Sequence, residues 1–388
     1  MKNAVAVLTV LLLTIWMGFS SAFCEEAAAP TIIQITGRPA SAEFVAQVLK
    51  ERLGIQVPVP GPLDVNQRLN IEFPAQPGSD VGKTVTIENY DLPILDPTFL
   101  MFSNYPEKVK ERGLLFSGGL IRHQPVRFQY YHLGHPESPG RFLLLRLYNP
   151  GETSARLHVV RGCGGPSGDF MKEGHLNSLE FLSRFAGNEG EILTVEAHSS
   201  LDLASIPLPS GEVVSGTYQI HLLDGPPLGM YLFSVDDEKQ SISYPSIIDS
   251  KDPHATGVYP IANFYMRDAF RSAEKEKYLT IGDFSLQNYL PQKSLAGAYG
   301  CVYNIQMKLQ NPGPEAVEIQ ILFQPRGGHA TATFLIGDEI IPVGFTRVGK
   351  EVLLRRIPLQ PGEEKDLTIR TMPEGASFYP VRLIFRSQ

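Results

Sequence analysis

Two stretches of this 388-residue chain repeat each other, and that repetition limits the folds open to it. "LRLYNPGETSARLHVVRGCGG" (145–165) and "MKLQNPGPEAVEIQILFQPRG" (307–327) align without a gap, Asn149 on Asn311, an offset of 162 residues. Apolar residues alternate on either side of an Asn-Pro-Gly turn: Leu145, Leu147, Leu157 and Val159 in one copy, Met307, Leu309, Ile319 and Ile321 in the other. Period-two alternation flanking a turn predicts two consecutive strands. Further on, "IPLPSGE" (206–212) matches "IPLQPGE" (357–363), and "MYLFS" matches "VRLIF", both at an offset of 151. More loosely, "LLFSG" (114–118) pairs with "YLTIG" (278–282).

A period this long rules out a solenoid and suits two tandem modules of sandwich size. Short strands, turn-forming glycine and proline, and few long helical patterns predict a mainly β chain. With a closing Pro-Gly-Glu turn and a last strand that ends the module, residues 112–236 and 276–388 resemble the Ig-like modules that recur in secreted bacterial envelope proteins. The resemblance implies two tandem Ig-like antiparallel β-sandwiches. Residues 237–275 then read as an interdomain linker, whose Tyr244, Tyr259, Phe264 and Tyr265 should pack across the junction.

Ahead of the repeat, residues 30–95 predict a small α/β unit. "SAEFVAQVLKERLG" places Phe44, Val45, Val48, Leu49 and Leu53 on one helical face, with Ser41 as N-cap and Gly54 as the stop. The run from "ITGRP" through this helix to "KTVTI" resembles the small domain that opens copper amine oxidase N-terminal-like envelope proteins. That likeness concerns the domain alone and brings no oxidase chemistry.

Lys2, the apolar run Ala4 to Phe19 and the small residues Ser20-Ser21-Ala22 read as a secretory signal peptide, residues 1–22. The alternative, a lipidated Cys24, is opposed by Phe23 before it. No later run is long and apolar enough to span a bilayer, so the mature chain is expected to be secreted or periplasmic, with no transmembrane segment. Losing Lys2 takes the net charge from -7 to -8, and without a basic run nucleic acid is an unsuitable partner. Cys24, Cys163 and Cys301 are the only cysteines; they lack zinc-ribbon spacing, and Cys163 and Cys301 could pair or remain separate. The single tryptophan, Trp16, lies in the leader, so a glycan reading would have to rest on tyrosine.

"RGCGGPSGDF" (161–170) has the residues for chemistry. A phosphate cradle here would need Gly-Lys-Ser/Thr, which the 161–170 stretch lacks. A hydrolase would use Ser167, Asp169 and His175 as nucleophile, orienting acid and base. At the aligned place the second copy reads "QPRGGHATATF", which keeps paired glycines but has neither Ser-Gly-Asp nor the helix that Leu176, Leu179, Leu182 and Phe185 predict. The glycines thus read as a turn leaving a strand, and residues 161–187 as an insertion offering Arg161, Ser167, Asp169 and His175 for binding. His132, His135 and Glu137 form an alternative metal set without a second His/Cys pair. No cofactor is implied. The expectation is an exported, non-catalytic binding or structural protein of the cell envelope, engaging a protein or envelope polymer through sandwich loops or edge strands. The rival is an exported hydrolase or metal-dependent enzyme using the 161–175 loop or the His132/His135 pair.

Overall fold

The computed structural model describes residues 7–9, 31–54, 56–73, 83–237, 246–247, 252–289 and 293–388. The predicted leader, apart from Val7–Thr9, and Cys24 lie outside the described residues. Val7–Thr9 form a short strand running parallel to Asn70, Ile71 and Glu72. No helix among the described residues is long and apolar enough to cross a membrane. The chain divides into two compact units, Met1–Ile94 with Gly187–Leu193, and Leu95–Ala186 with Thr194–Gln388.

In the first unit, α1 (Ala42–Leu53) starts where the Ser41 side chain accepts the Phe44 N–H at 3.2 Å. It ends at Gly54, whose φ of 67° suits a residue without Cβ and whose N–H closes on Lys50 O. Phe44, Val45, Val48 and Leu49 are buried against Ile33, Ile35, Ile71 and Ile87 of the strands Thr31–Thr36, Arg68–Phe73 and Lys83–Tyr90. Each such side chain contributes roughly 1.5–3 kcal/mol by leaving water. Gly190–Val195 pairs antiparallel with Thr31–Thr36.

The second unit is built from sheets, and the chain as a whole is mainly β. One sheet holds, in order, Ala155–Ser167, Val213–Asp224, Val126–Gly134, Phe99–Ser103 and Thr256–Tyr259. Facing it is Ser200–Leu208, Arg141–Tyr148, Leu228–Val235 and Gly113–Leu120, with Phe116 on Phe128 across the gap at 5.1 Å. A second pair follows: Asn263–Arg271, Val302–Gln310, Glu364–Thr371, Ala330–Ile336 and Glu339–Thr346, opposite Glu276–Ile281, Val381–Ser387, Val317–Pro325 and Val352–Leu359. Phe270, Phe323, Phe334 and Phe385 are buried in one core between these two sheets. Stacked sheets of this kind are the layering of a β-sandwich.

The segment read as a linker, 237–275, is only partly one. Thr256–Tyr259 extends a sheet of the first pair, and Asn263–Arg271 is a strand of the second, parallel to Val302–Gln310. Tyr259 and Phe270 are buried and Phe264 is partly buried against the neighbouring cores, but Tyr265 is 66 % exposed and Tyr244 lies outside the described residues.

One strand order occurs twice along the chain, in a register displaced from the 162-residue alignment. The order Ala155–Ser167, Val213–Asp224, Val126–Gly134, Phe99–Ser103 recurs as Ala330–Ile336, Glu364–Thr371, Val302–Gln310, Asn263–Arg271. Arg141–Tyr148 therefore corresponds to Val317–Pro325, one strand beyond the partner that sequence assigned it. The two Asn-Pro-Gly turns misled the alignment because their chemistry is the same. Asn149 Oδ1 accepts the Gly151 N–H at 2.9 Å while its Nδ2 donates to Thr153 O. Asn311 does likewise with Gly313 and Glu315. Both turns carry the chain from one sheet to its facing sheet, at successive connections rather than equivalent ones. The 151-residue offset stands: the Glu212 N–H donates to Pro209 O as the Glu363 N–H does to Gln360 O, and the strands that follow open on the pairs Leu133–Val213 and Gln310–Glu364.

Arg127 is fully buried on Val126–Gly134. Its guanidinium forks onto Gln219 Oε1 and also donates to Ala262 O (2.6 Å), Asn263 Oδ1 (2.9 Å) and Gly300 O (3.3 Å). Burial draws its pKa down to about 10, which leaves it charged at neutral pH.

Candidate functional site

The glycine stretch resolves first. Strand Ala155–Ser167 runs through "RGCGGPS" without turning, and α2 (Phe170–Gly187) folds back over it. A Cβ on Gly162 would lie 2.3 Å from Asn177 O, and one on Gly164 2.1 Å from Glu173 O. Residues two apart on a strand share a face, as do residues four apart on a helix. Gly162 and Gly164 are thus where helix backbone lies directly on strand backbone. The true counterpart of Arg161 and Gly162 in the second copy is Ile336 and Gly337, since Arg161 pairs with Tyr218 as Ile336 pairs with Ile369. There the chain makes a tight hairpin into Glu339–Thr346, whereas the first copy goes on into α2.

Ser167, Asp169 and His175 do not meet as a catalytic set. Ser167 Oγ accepts the Asp169 N–H, and Asp169 Oδ1 accepts the Lys172 N–H to cap α2. His175 reaches away, to Glu374 of the second sheet pair, with Nδ1 2.9 Å from Oε2. Glu374 is fully buried and also accepts from Thr331 (2.6 Å) and Thr333 (2.8 Å). Burial lowers the His175 pKa, but the hydrogen bond and charge of Glu374 outweigh it, so the net shift is upward. Arg161 lies half-buried in its strand. Leu176 is 37 % exposed, whereas Asn177 is buried and donates to Ser215 and Thr217; the buried face of α2 joins Phe181 and Leu182 to Gly174, Asn177 and Ser178.

The histidine pair is also separated in role. His132 is fully buried, Nε2 3.0 Å from Ser103 Oγ and Nδ1 2.9 Å from Pro106 O, and burial pushes its pKa down to about 4. His135 Nδ1 accepts the Glu137 N–H within an exposed turn. No group of three His, Cys, Asp or Glu side chains suited to a metal ion occurs among the described residues. Cys163 and Cys301 are not joined: Cys163 Sγ lies 3.6 Å from Tyr218 Oη, and Cys301 Sγ 3.4 Å from Ile261 O.

What the sequence did not disclose is a cavity of about 540 Å³ at the junction of the two sheet pairs. Phe102 and Tyr131 of the first pair form one wall, Phe170 and Met171 of α2 another, and Tyr299 with Phe378 the far side. Small-ligand sites run from about 300 to 1,000 Å³ and combine aromatic walls with a few polar groups. Here the polar groups are Asn104, Glu107, Gln129 and His254, with Ser294 and Ser377.

His254 lies between two carboxylates, Nε2 2.5 Å from Glu107 Oε2 and Nδ1 2.7 Å from Asp252 Oδ1. Its pKa is raised, chiefly by the hydrogen bond to Glu107. Burial pushes the Asp252 carboxyl up, yet the N–H groups of His254 and Glu107 and the imidazole together hold it low. The arrangement is an imidazole clamped between two carboxylates, each of them already engaged. By contrast, Gln129 Oε1 and Asn104 Oδ1 are buried with no hydrogen-bond partner among the described residues. Gln129 is 1 % exposed. Buried acceptors without donors are uncommon and costly, about 1–3 kcal/mol each.

No protein-family model matches the chain, and no curated protein does. Solved structures that it resembles include Lac15 from a marine microbial metagenome, at 10% identity over 91% of this chain and 96% of that one, TM-score 0.16. Tripeptidyl peptidase 2 matches at 10% identity over 80% of this chain and 25% of its own, TM-score 0.20. The PBSX exported protein XepA matches at 9% identity over 82% and 94%, TM-score 0.16. Scores this low tie the chain to none of them.

Proposed function

We propose that this chain is an exported, non-catalytic binding protein of the cell envelope, built on two tandem Ig-like sandwiches, whose ligand sits in the cavity between them. The observation that carries this reading is the cavity of about 540 Å³, walled by Phe102, Tyr131, Tyr299 and Phe378 with Ser294 and Ser377 among its polar groups. A ligand there would bury the rings and bond the polar groups beside them. The apolar run Ala4 to Phe19 supports export. The bonding of Ser167, Asp169 and His175 to other partners favours binding over hydrolysis. The insertion serves as a wall, through Phe170 and Met171, rather than as a free recognition loop.

Co-sedimentation with an isolated envelope-polymer fraction tests it. The wild-type chain should pellet with the polymer and leave its length unchanged, and Ala296→Trp, which places an indole at the exposed rim, should stay in solution. Shortening of the polymer, or equal pelleting by both proteins, would refute the reading.

A further inference from the structure

We infer that one end of the second sheet pair docks on an anionic lipid bilayer, Phe345, Val348 and Phe378 entering its interface while Arg326, Arg347 and Lys350 meet its headgroups. This surface is separate from the cavity except at Phe378, which lines both.

Three connections make this end. Residues 326–329 join Val317–Pro325 to Ala330–Ile336, 347–351 join Glu339–Thr346 to Val352–Leu359, and 372–380 join Glu364–Thr371 to Val381–Ser387. Backbone bonds hold them together: Gly349 N–H donates to Pro325 O at 2.8 Å, Arg326 N–H to Pro380 O at 3.0 Å and Phe378 N–H to His329 O at 2.9 Å. The His329 and Phe345 rings lie 5.0 Å apart. Yet Phe345, Val348 and Phe378 are each more than half exposed. Neighbouring apolar groups left in water beside polar ones mark an interaction surface.

Charge selects the partner. Arg326, Arg347 and Lys350 are exposed, and none is ion-paired among the described residues. The carboxylates of the three connections are engaged: Glu351 is bonded to Arg386, and buried Glu374 to His175. Asp283 is exposed on the next connection, after Gly282, which packs on Tyr379; one acid leaves the cations in excess. In a chain of net charge -7, this end reverses the sign.

The first sheet pair is an internal control. Its matching connections, 149–154, 196–199 and 225–227, hold Glu152 and Glu196 and no lysine, arginine or phenylalanine. Closing such an end therefore requires neither cations nor exposed rings. A soluble polyanion would answer the cations and leave Phe345 and Val348 in water. A bilayer interface takes both, apolar tips below the headgroups and basic side chains level with them.

Flotation of the full mature chain tests this, with vesicles of phosphatidylcholine alone or mixed with phosphatidylglycerol, and with polygalacturonate as a soluble polyanion. The expected result is capture by the phosphatidylglycerol vesicles only. Arg326→Ser, Arg347→Ser and Lys350→Ser combined should weaken it about 100-fold, at about five-fold per cation. Phe345→Ser should weaken it about ten-fold, and Val348→Ser repeats the apolar test should Phe345→Ser melt early. Lys365→Ser removes an exposed cation from the opposite end of its strand and should change nothing. No vesicle capture, equal capture by both vesicles, or capture that survives the triple change or the apolar one overturns the proposal. So does capture that Lys365→Ser weakens as Lys350→Ser does. Binding of polygalacturonate without vesicle capture overturns it too, and makes this end a polymer site.

Discussion

Adding one methyl group at Gly162 tests whether backbone approach is what the glycine stretch is for. The new Cβ would sit 2.3 Å from Asn177 O and 2.4 Å from the Phe181 nitrogen. Comfortable separations are near 3.5 Å, so α2 must lift by roughly 1 Å. Neither clashing atom can swing aside as a side chain could, because both belong to the helix backbone. Phe181 and Leu182, both fully buried, ride outward with it. A gap of that width forfeits about a quarter to a half of the dispersion contacts at the helix face. Overpacking usually costs about 1–3 kcal/mol, and Gly162→Ala belongs at the upper end, near 3 kcal/mol. Gly168→Ala is the control: its Cβ would meet nothing within 4 Å, and its effect should stay within about 0.5 kcal/mol. Urea unfolding gives the energies, and hydrogen exchange over residues 170–187 reports whether α2 has loosened. If the two variants unfold alike and exchange in α2 is unchanged, the packing argument is wrong.

Other expectations follow from the same geometry. Folding raises the His175 pKa through Glu374, so that stabilisation is complete below about pH 6.5 and is lost as pH climbs through the folded value; the gap between the urea midpoints of wild type and Glu374→Gln should be wider near pH 5.5 than near pH 8.5. Asn149→Ala and Asn311→Ala each strip the same turn of its side-chain bonds. Each should cost about 2 kcal/mol in urea unfolding, and a loss confined to one of them would break the parallel. A fluorophosphonate probe should leave Ser167 unlabelled, read by peptide mass, because its Oγ faces an amide rather than an imidazole.

Much of the fold was legible because local chemistry decides it. The caps of α1 are written in Ser41 and Gly54, and period-two alternation marks the strands around Asn149 and Asn311. The repeat could be seen but not registered, since one Asn-Pro-Gly clamp serves two different sheet-to-sheet connections. Sequence also misjudged α2. Of the spacing Leu176, Leu179, Leu182 and Phe185, Leu182 is buried but Leu176 is exposed, because a helix lying on glycines and hydroxyl groups also buries Asn177 and Ser178. The cavity was out of reach for a different reason: Glu107 and Asp252 meet across 145 residues, and Gln129 looks like any strand glutamine until its neighbours are in place.

Arg127 bears on how the duplicated halves behave together. Its strand belongs to the first sheet pair, while Ala262, Asn263 and Gly300, whose oxygens accept its hydrogen bonds, stand at the entrances of Asn263–Arg271 and Val302–Gln310 in the second. Swinging one half away from the other would strand a cation in a dry seam, so the joint is welded rather than hinged. Tandem repeats often melt as beads on a string. Here the halves should come apart in a single heat-absorption peak, and the cavity at their junction should hold its shape until that point.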